Sequence, residues 1–333
     1  MRKRTSSTAI ILLLVVALAA AYFLTRSKDR PDEPVPGPVT GKLTARFLDI
    51  GQGDCQLLQL PGGETVLIDS GDSGVATVEL LKQYGVREID LIIATHPHQD
   101  HIGEMRDIMR AFKVKEILDS GFPHSTRTYA TMLEEVKSRG IKFSTPRRGE
   151  TRNIGDVKFE IVNPRSSDDF IDENPNNASI VVRVTFGANT LLFTGDAEVE
   201  AWADMMRATP DRLRADLLKG AHHGSSNGTT REVLDAVRPS IYVISCKVGN
   251  DYHHPHPRVV NLLEQRSRDI RFYRTDIQGT ITAVCDGKTI EMSADKQVGQ
   301  DQLYLTGDEA AGKVASDGGS STGSRKRGAG RSR

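Results

Sequence analysis

The stretch ATHPHQDHIGEM, residues 94–105, places three histidines and one aspartate within six positions. It follows IDLIIAT, residues 89–95, a short apolar run that reads as a buried strand. A loop at a strand end holds ligands on a rigid base. Three imidazoles and a carboxylate suit a borderline cation such as Zn²⁺, with Mn²⁺ or Fe as alternatives. On an extended segment alternate side chains share a face, so His96 and His98 can reach one ion. Asp100 and His101 come after the turn and can address a second. The competing reading is a histidine-rich surface loop.

Around this stretch, short apolar runs alternate with helical periods from Leu43 to about Ala294. LTARFLDI, CQLLQL and TVLIDSG are strand-like, and PGGE turns the chain between the last two. VATVELLKQYGV and TYATMLEEVKSRG have helical spacing and stop at glycine. The second half opens β-rich, with a hairpin expected over Gly187-Ala188-Asn189, and closes with another over Asp286-Gly287. Both halves mix strands with covering helices. That predicts an α+β fold, a four-layer αββα sandwich of two packed mixed sheets flanked by helices. Periodicity alone leaves a doubly wound sheet as a rival.

The 333 residues carry 44 basic and 44 acidic side chains, so no global basic excess points to nucleic acid. The three cysteines, Cys55, Cys246 and Cys285, form no C-x-x-C pair and sit in apolar runs. They read as buried free thiols, which excludes a disulfide scaffold and a thiolate zinc site.

The ends differ from this middle. Arg2, Lys3 and Arg4 precede an apolar run from Ala9 to Leu24. Residues 1–25 read as a signal anchor or a cleaved signal peptide. Either exports the remainder, leaving the domain on the outer side of the cell membrane, secreted or periplasmic. Residues 26–42 are a proline- and charge-rich linker, and 43–295 form the folded domain. Residues 306–333 have almost no large apolar side chains and read as a disordered tail ending in a basic cluster, which could touch DNA or anionic lipid.

The H-x-H-x-D-H pattern after a strand ending in threonine resembles the signature of the metallo-β-lactamase superfamily. FLDIGQGDCQLLQLPGGETVLIDSG, LLFTGDAE, LLKGAHHGSSNGT and YHHPHPRVV resemble, in order, the hydrolase domain of ComEC-type competence proteins and their stand-alone relatives. The resemblance implies the metallo-β-lactamase-like fold and a site of two zinc ions. Asp69 then orients the metal loop. His96 and His98 bind the first ion, Asp100 and His101 the second, and Asp196 bridges both. His254 matches the last histidine. One position departs: Asn177 stands where a third histidine for the first ion is expected. Either that first site is weak, or another residue fills it, with His222 the candidate and His223 assigned behind it. Asp54 in GQGD either holds a metal-loop amide or a histidine, or is a plain turn aspartate. Lys219 either meets a phosphate or is solvated. Ser225, Ser226, Asn227 and Thr229 either donate to a substrate oxyanion or cap a helix.

The resemblance implies metal-assisted hydrolysis, with Asp100 as the catalytic group that orients the nucleophile. DNA or another phosphodiester is the leading substrate class. A small-molecule hydrolase acting on a lactone, β-lactam or thioester is the first alternative. A non-catalytic binding domain is the second.

Overall fold

The computed structural model describes residues 41–165 and 170–319. The expected N-terminal anchor or signal, most of the linker and the basic cluster at the end of the tail lie outside these residues.

Two sheets dominate. The first contains β1 (Leu43–Phe47), β2 (Gln56–Gln59), β3 (Thr65–Ile68), β5 (Leu91–Ala94), β7 (Glu116–Asp119) and β8 (Lys142–Ser144), with β16 (Ile281–Cys285) and β17 (Ile290–Ala294) on its far edge. Its order is β17-β16-β1-β2-β3-β5-β7-β8. The second contains β9 (Thr151–Ile154), β10 (Val157–Asn163), β11 (Val181–Phe186), β12 (Asn189–Phe193), β13 (Leu217–Lys219), β14 (Ile241–Ile244) and β15 (Arg271–Arg274). Its order is β15-β14-β13-β12-β11-β10-β9. Two short strands, β4 (Glu88–Ile89) and β6 (Lys113–Val114), pair separately.

Alternation along the strands builds three apolar layers. Leu43, Ala45 and Phe47 on β1 face Val182, Leu191 and Phe193 of the other sheet, and the rings of Phe47 and Phe193 stack 5.8 Å apart. Leu57, Leu67 and Ile92 point the other way, onto helices Thr77–Gln83, Met105–Ala111 and Arg127–Arg139. Val181, Leu192 and Tyr242 point outward from the second sheet, onto Val199–Ala208, Arg231–Val237 and Pro257–Gln265. This is the αββα sandwich, and two facing sheets exclude the doubly wound rival. All three cysteines are buried and free.

The tail departs from expectation. Chain reckoned structureless from residue 306 forms helix Gly307–Gly319. The Thr306 N–H donates to Glu309 Oε2 (2.8 Å) and the Glu309 N–H to Thr306 Oγ1 (3.3 Å), a reciprocal cap that satisfies two helix-start donors. Asp308 meets the His253 ring at 2.6 Å, and the Gly307 N–H donates to the Pro255 carbonyl at 3.1 Å. Helix Gln300–Leu303 precedes it, and the buried Arg274 guanidinium donates to the Leu303 carbonyl (3.1 Å). Low apolar content was therefore offset by capping and by docking onto the 253–255 loop.

One edge of the sandwich collects strand C-termini. β3, β5 and β7 run parallel in one sheet, and β12, β13 and β14 in the other. The loops leaving β3, β5, β12, β13 and β14 therefore emerge together, where an α/β layer presents its binding residues.

Candidate metal centre

His96 follows β5 by two residues, after Thr95, and is fully buried. Its Nδ1 lies 3.1 Å from Thr95 Oγ1, so Nε2 turns outward, 3.0 Å from His98 Nδ1. Asp100 and His101 lie on the short helix Gln99–Ile102. Asp69 fixes this loop. It sits in the left-handed region at φ 58°, and one carboxylate oxygen accepts from the Thr95 N–H (2.8 Å). The other oxygen meets Thr95 Oγ1 and His101 Nδ1, both at 2.8 Å. With Nδ1 so engaged, His101 presents Nε2 to the site.

Asp196 arrives from the end of β12. Its Oδ2 lies 3.2 Å from His101 Nε2, 3.4 Å from His223 Nε2, and 3.8 Å from both His96 Nε2 and His222 Nε2. Gly195 makes this approach possible. At φ 48° it occupies backbone space that disfavours side chains, and a Cβ there would stand 2.9 Å from Thr95.

The structure reverses the expected ranking of the AHHGS histidines. His223 joins Asp100, His101 and Asp196 in one set whose donor atoms lie within 4.8 Å of one another. His223 Nε2 stands 3.1 Å from Asp100 Oδ2 and 3.3 Å from His101 Nε2. A tetrahedral ion with bonds of about 2.0–2.2 Å needs ligands roughly 3.3–3.6 Å apart, so this spacing fits one cation. Asp196 Oδ1 is buried with no hydrogen-bond partner, as expected of a carboxylate that also serves an ion. The cause of the reversal is backbone conformation. His222 and His223 both adopt left-handed φ, 51° and 54°, a strained consecutive pair that swings the second ring inward after β13. Its Nδ1 is held by the Ser245 carbonyl at 3.0 Å.

His254, matched in sequence to the last histidine, does not enter this set; His223 occupies that place. Asn250 clamps the backbone of His254 at both its N–H (3.0 Å) and its carbonyl (2.6 Å). The ring lies 5.6 Å from that of His222, with Nδ1 buried and unpartnered. Burial, reinforced by nearby His223 and His222, lowers its pKa to about 3, so it stays neutral. Of its neighbours, His253 pairs with Asp308 and His256 caps helix Pro257–Gln265.

Asn177 also departs from its assignment beside the metals. Its side-chain oxygen accepts from the Glu198 N–H (3.2 Å) and the Ala201 N–H (3.4 Å), at the start of helix Val199–Ala208. Its amide donates to Asp172 (2.8 Å). Both ends of the side chain are thus spent on neighbouring groups, the oxygen on backbone N–H donors and the amide on carboxylates. The same segment nonetheless serves the site through Glu198, which motif reading passed over. Asn174 and Asn176 donate to the two Glu198 oxygens at 3.1 and 2.7 Å, and Glu198 Oε1 lies 3.1 Å from His222 Nδ1.

Asp54 and Lys219 resolve together. Lys219 is fully buried, and its Nζ meets Asp54 Oδ2 at 2.6 Å, joining the ends of the two sheets. Asp54 Oδ1 lies 3.5 Å from His223 Nδ1, and its N–H donates to the Asp100 carbonyl (3.1 Å). Gly53 lets the backbone approach: a Cβ there would stand 2.2 Å from that carbonyl. Thr229 bonds Tyr242 and Ser225 bonds Asn227, so both hydroxyls have partners within the fold.

The electrostatics are those of a cation cage. Burial opposes charge on His101, but Asp196, Asp69 and Asp100 outweigh it and raise its pKa well above the ordinary value. Burial likewise opposes charge on His223, and Asp196 and Asp54 outweigh it. Burial would raise Asp196, yet His101, His223 and His222 hold it well below the carboxylate range. His96, penalised by burial and by the His101 charge, is lowered. The cage floors an open cavity of about 370 Å³, with His98, Asp100, His222, His254, His124 and the 64 % exposed ring of Tyr252 along its walls.

This geometry sets an order of effects. His223→Ala is expected to reduce turnover by about 10³-fold, as for a lost ligand, and His222→Ala by roughly 10–100-fold, as for a supporting group. Steady-state kinetics with metal analysis of both variants checks the order; equal losses would return His222 to the innermost set.

Residues 48–247, more than half of the chain, match the metallo-beta-lactamase superfamily. The chain is similar to ComE operon protein 3 of Bacillus subtilis, 32 % identical over 255 residues, covering 71 % of this chain and 32 % of that protein. It is similar to Competence protein ComA of Neisseria gonorrhoeae, 28 % identical over 236 residues, covering 70 % and 31 %. The chain thus spans about a third of the length of these curated relatives. Among solved structures, a CmlA beta-hydroxylase variant superposes with a TM-score of 0.50 at 16 % identity, covering 74 % of this chain and 54 % of that one, a likeness of fold alone. Sandwich, histidine loop and matched residues agree: the chain belongs to the metallo-β-lactamase superfamily and is related to the competence proteins.

Proposed function

We propose that this chain is a metal-dependent phosphodiesterase acting on DNA or another phosphodiester. The observation that carries metal-dependent hydrolysis is the closed donor set of Asp100, His101, Asp196 and His223 on the floor of an open cavity. The phosphodiester preference rests on the competence-protein relatives. His96, His98 and Asp196 would hold a first ion, with His222 supporting Asp196 from 3.8 Å, and the closed set a second. Mixed imidazole and carboxylate donors suit Zn²⁺, and the carboxylates also admit Mn²⁺ or Fe. Bound there, the cations supply Lewis acidity that polarises a phosphoryl oxygen and acidifies water.

The protein groups have separate tasks. Asp69 locks His101, and Asp196 sits between the two histidine groups. The Asp100 side chain lines the cavity and is 27 % exposed against 3 % for Asp196, so of the two carboxylates Asp100 is the one placed to orient a water there. The basic-flanked apolar run at residues 9–24 supports an exported protein.

The test uses protein loaded with zinc or manganese, assayed on bis(p-nitrophenyl) phosphate, single-stranded DNA and nitrocefin, with metal content measured in parallel. Phosphodiester turnover is expected, falling by about 10³-fold or more in His96→Ala/Asp100→Ala. Turnover that survives the double substitution refutes the site. Nitrocefin cleavage without phosphodiester cleavage transfers the site to small-molecule hydrolysis, and failure to bind metal leaves a binding domain.

A further inference from the structure

Beside the metal cavity lies a second depression of about 420 Å³, lined by Ser226, Thr229, Thr230, Arg231, Arg258 and Asn261, among others. Arg258, Asn261, Leu262 and Gln265 recur at helical spacing, so one face of Pro257–Gln265 forms a wall. Arg231, at the start of helix Arg231–Val237, faces it. Both arginines are exposed. Arg231 donates to Gln265 Oε1 at 3.4 Å and its charge is felt by neighbouring Glu232, but among the described residues no direct ion pair joins either guanidinium to a carboxylate. None of the described lining residues is acidic. Two guanidiniums, the Ser226 hydroxyl and the carboxamides of Asn261 and Gln265 around one hollow have the chemistry of a phosphate diester pocket, while Thr229 is bonded to Tyr242 and Thr230 caps its helix.

Its position relative to the metal cage matters. Two chain segments run from one cavity into the other. His222 and His223 line the first and Ser226 the second, three residues on; His254 lines the first and Arg258 the second, four residues on. The segments are joined by the His256 N–H, which donates to the Gly224 carbonyl at 2.9 Å. Three residues span at most about 11 Å. We infer that this groove is a second phosphate subsite, which grips the sugar–phosphate backbone of a nucleic acid a nucleotide or two from the linkage held at the metal centre. The inference rests on the phosphodiester reading and narrows it to polyanionic strands over small esters.

The test compares Arg231→Gln/Arg258→Gln with its parent, both in the full chain. Turnover of bis(p-nitrophenyl) phosphate, which cannot reach the groove, is expected to be unchanged and certifies the fold and the centre. Binding of a fluorescent single-stranded oligonucleotide is measured in the non-cleaving Asp100→Ala background across a salt series. Loss of the two arginines is expected to raise Kd at least about 10-fold at low salt. The slope of log Kd against log salt should become shallower by about 1.4, from two contacts on a single strand. Unchanged oligonucleotide affinity and slope overturn the subsite, as does a parent that binds no oligonucleotide. Retained oligonucleotide binding with lost binding to phosphatidylserine-containing vesicles would assign the groove to a lipid surface and also overturn it. Absence of phosphodiester turnover in the parent would refute the proposed activity alone, because the binding comparison needs no cleavage.

Discussion

Asp196→Asn is expected to abolish hydrolysis, lowering kcat/KM by at least about 10³-fold, or roughly 4 kcal/mol of transition-state stabilisation. The size follows from where the carboxylate stands. Its Oδ2 lies within 3.8 Å of four imidazoles that belong to both halves of the site. No other carboxylate approaches His96 so closely among the described residues, whereas His101 and His223 also have Asp100 and Asp69 or Asp54 nearby. An amide keeps the shape and removes the anion, so size change cannot explain the loss. The variant is therefore expected to retain its fold and to lose the His96–His98 ion first. Metal analysis beside bis(p-nitrophenyl) phosphate kinetics checks both parts. More than a tenth of parental activity with a full metal complement would remove Asp196 from the centre.

The parts of this site legible in the sequence are local ones. His96, His98, Asp100 and His101 occupy six positions, and the apolar run before them identifies their strand. The strands were legible for the same reason, but period two alone left a doubly wound sheet as a rival, and the resemblance carried by the histidine loop is what selected the sandwich. What was not legible depends on distance or on backbone handedness. Lys219 meets a partner 165 positions away, and nothing in LLKGAHHG announces a buried cation. Choosing among His222, His223 and His254 required knowing that two consecutive residues take left-handed φ, which neighbouring histidines do not advertise. Glu198 follows Asp196 by two positions, and only the folded Asn174–Asn177 segment turns it onto His222. The helix at residues 307–319 had a readable signal, the spacing of Thr306 and Glu309, that composition obscured.

Lys219→Met is the second large effect, and it falls on stability. The ammonium and its partner Asp54 are both essentially without solvent contact. Removing one member of a buried pair leaves an uncompensated charge and typically destabilises by about 3–5 kcal/mol. The melting temperature is expected to drop by roughly 10 °C. Removing both charges in Asp54→Leu/Lys219→Met should recover most of that loss, since a buried pair replaced by apolar groups is often neutral. Activity should not return with it. Asp54 also lies against His223 Nδ1 and holds the Asp100 carbonyl through its own N–H, so the leucine supports the backbone contact but not the imidazole. The double variant is then expected to melt near the parent while its kcat/KM stays roughly 10–100-fold down, the loss usual for a group that orients a metal ligand. Thermal denaturation with kinetics on the same preparations separates the two roles. Recovery of both stability and activity would reduce Asp54 to a counter-ion for Lys219, and recovery of neither would mean that the pair fixes how the two sheet edges meet.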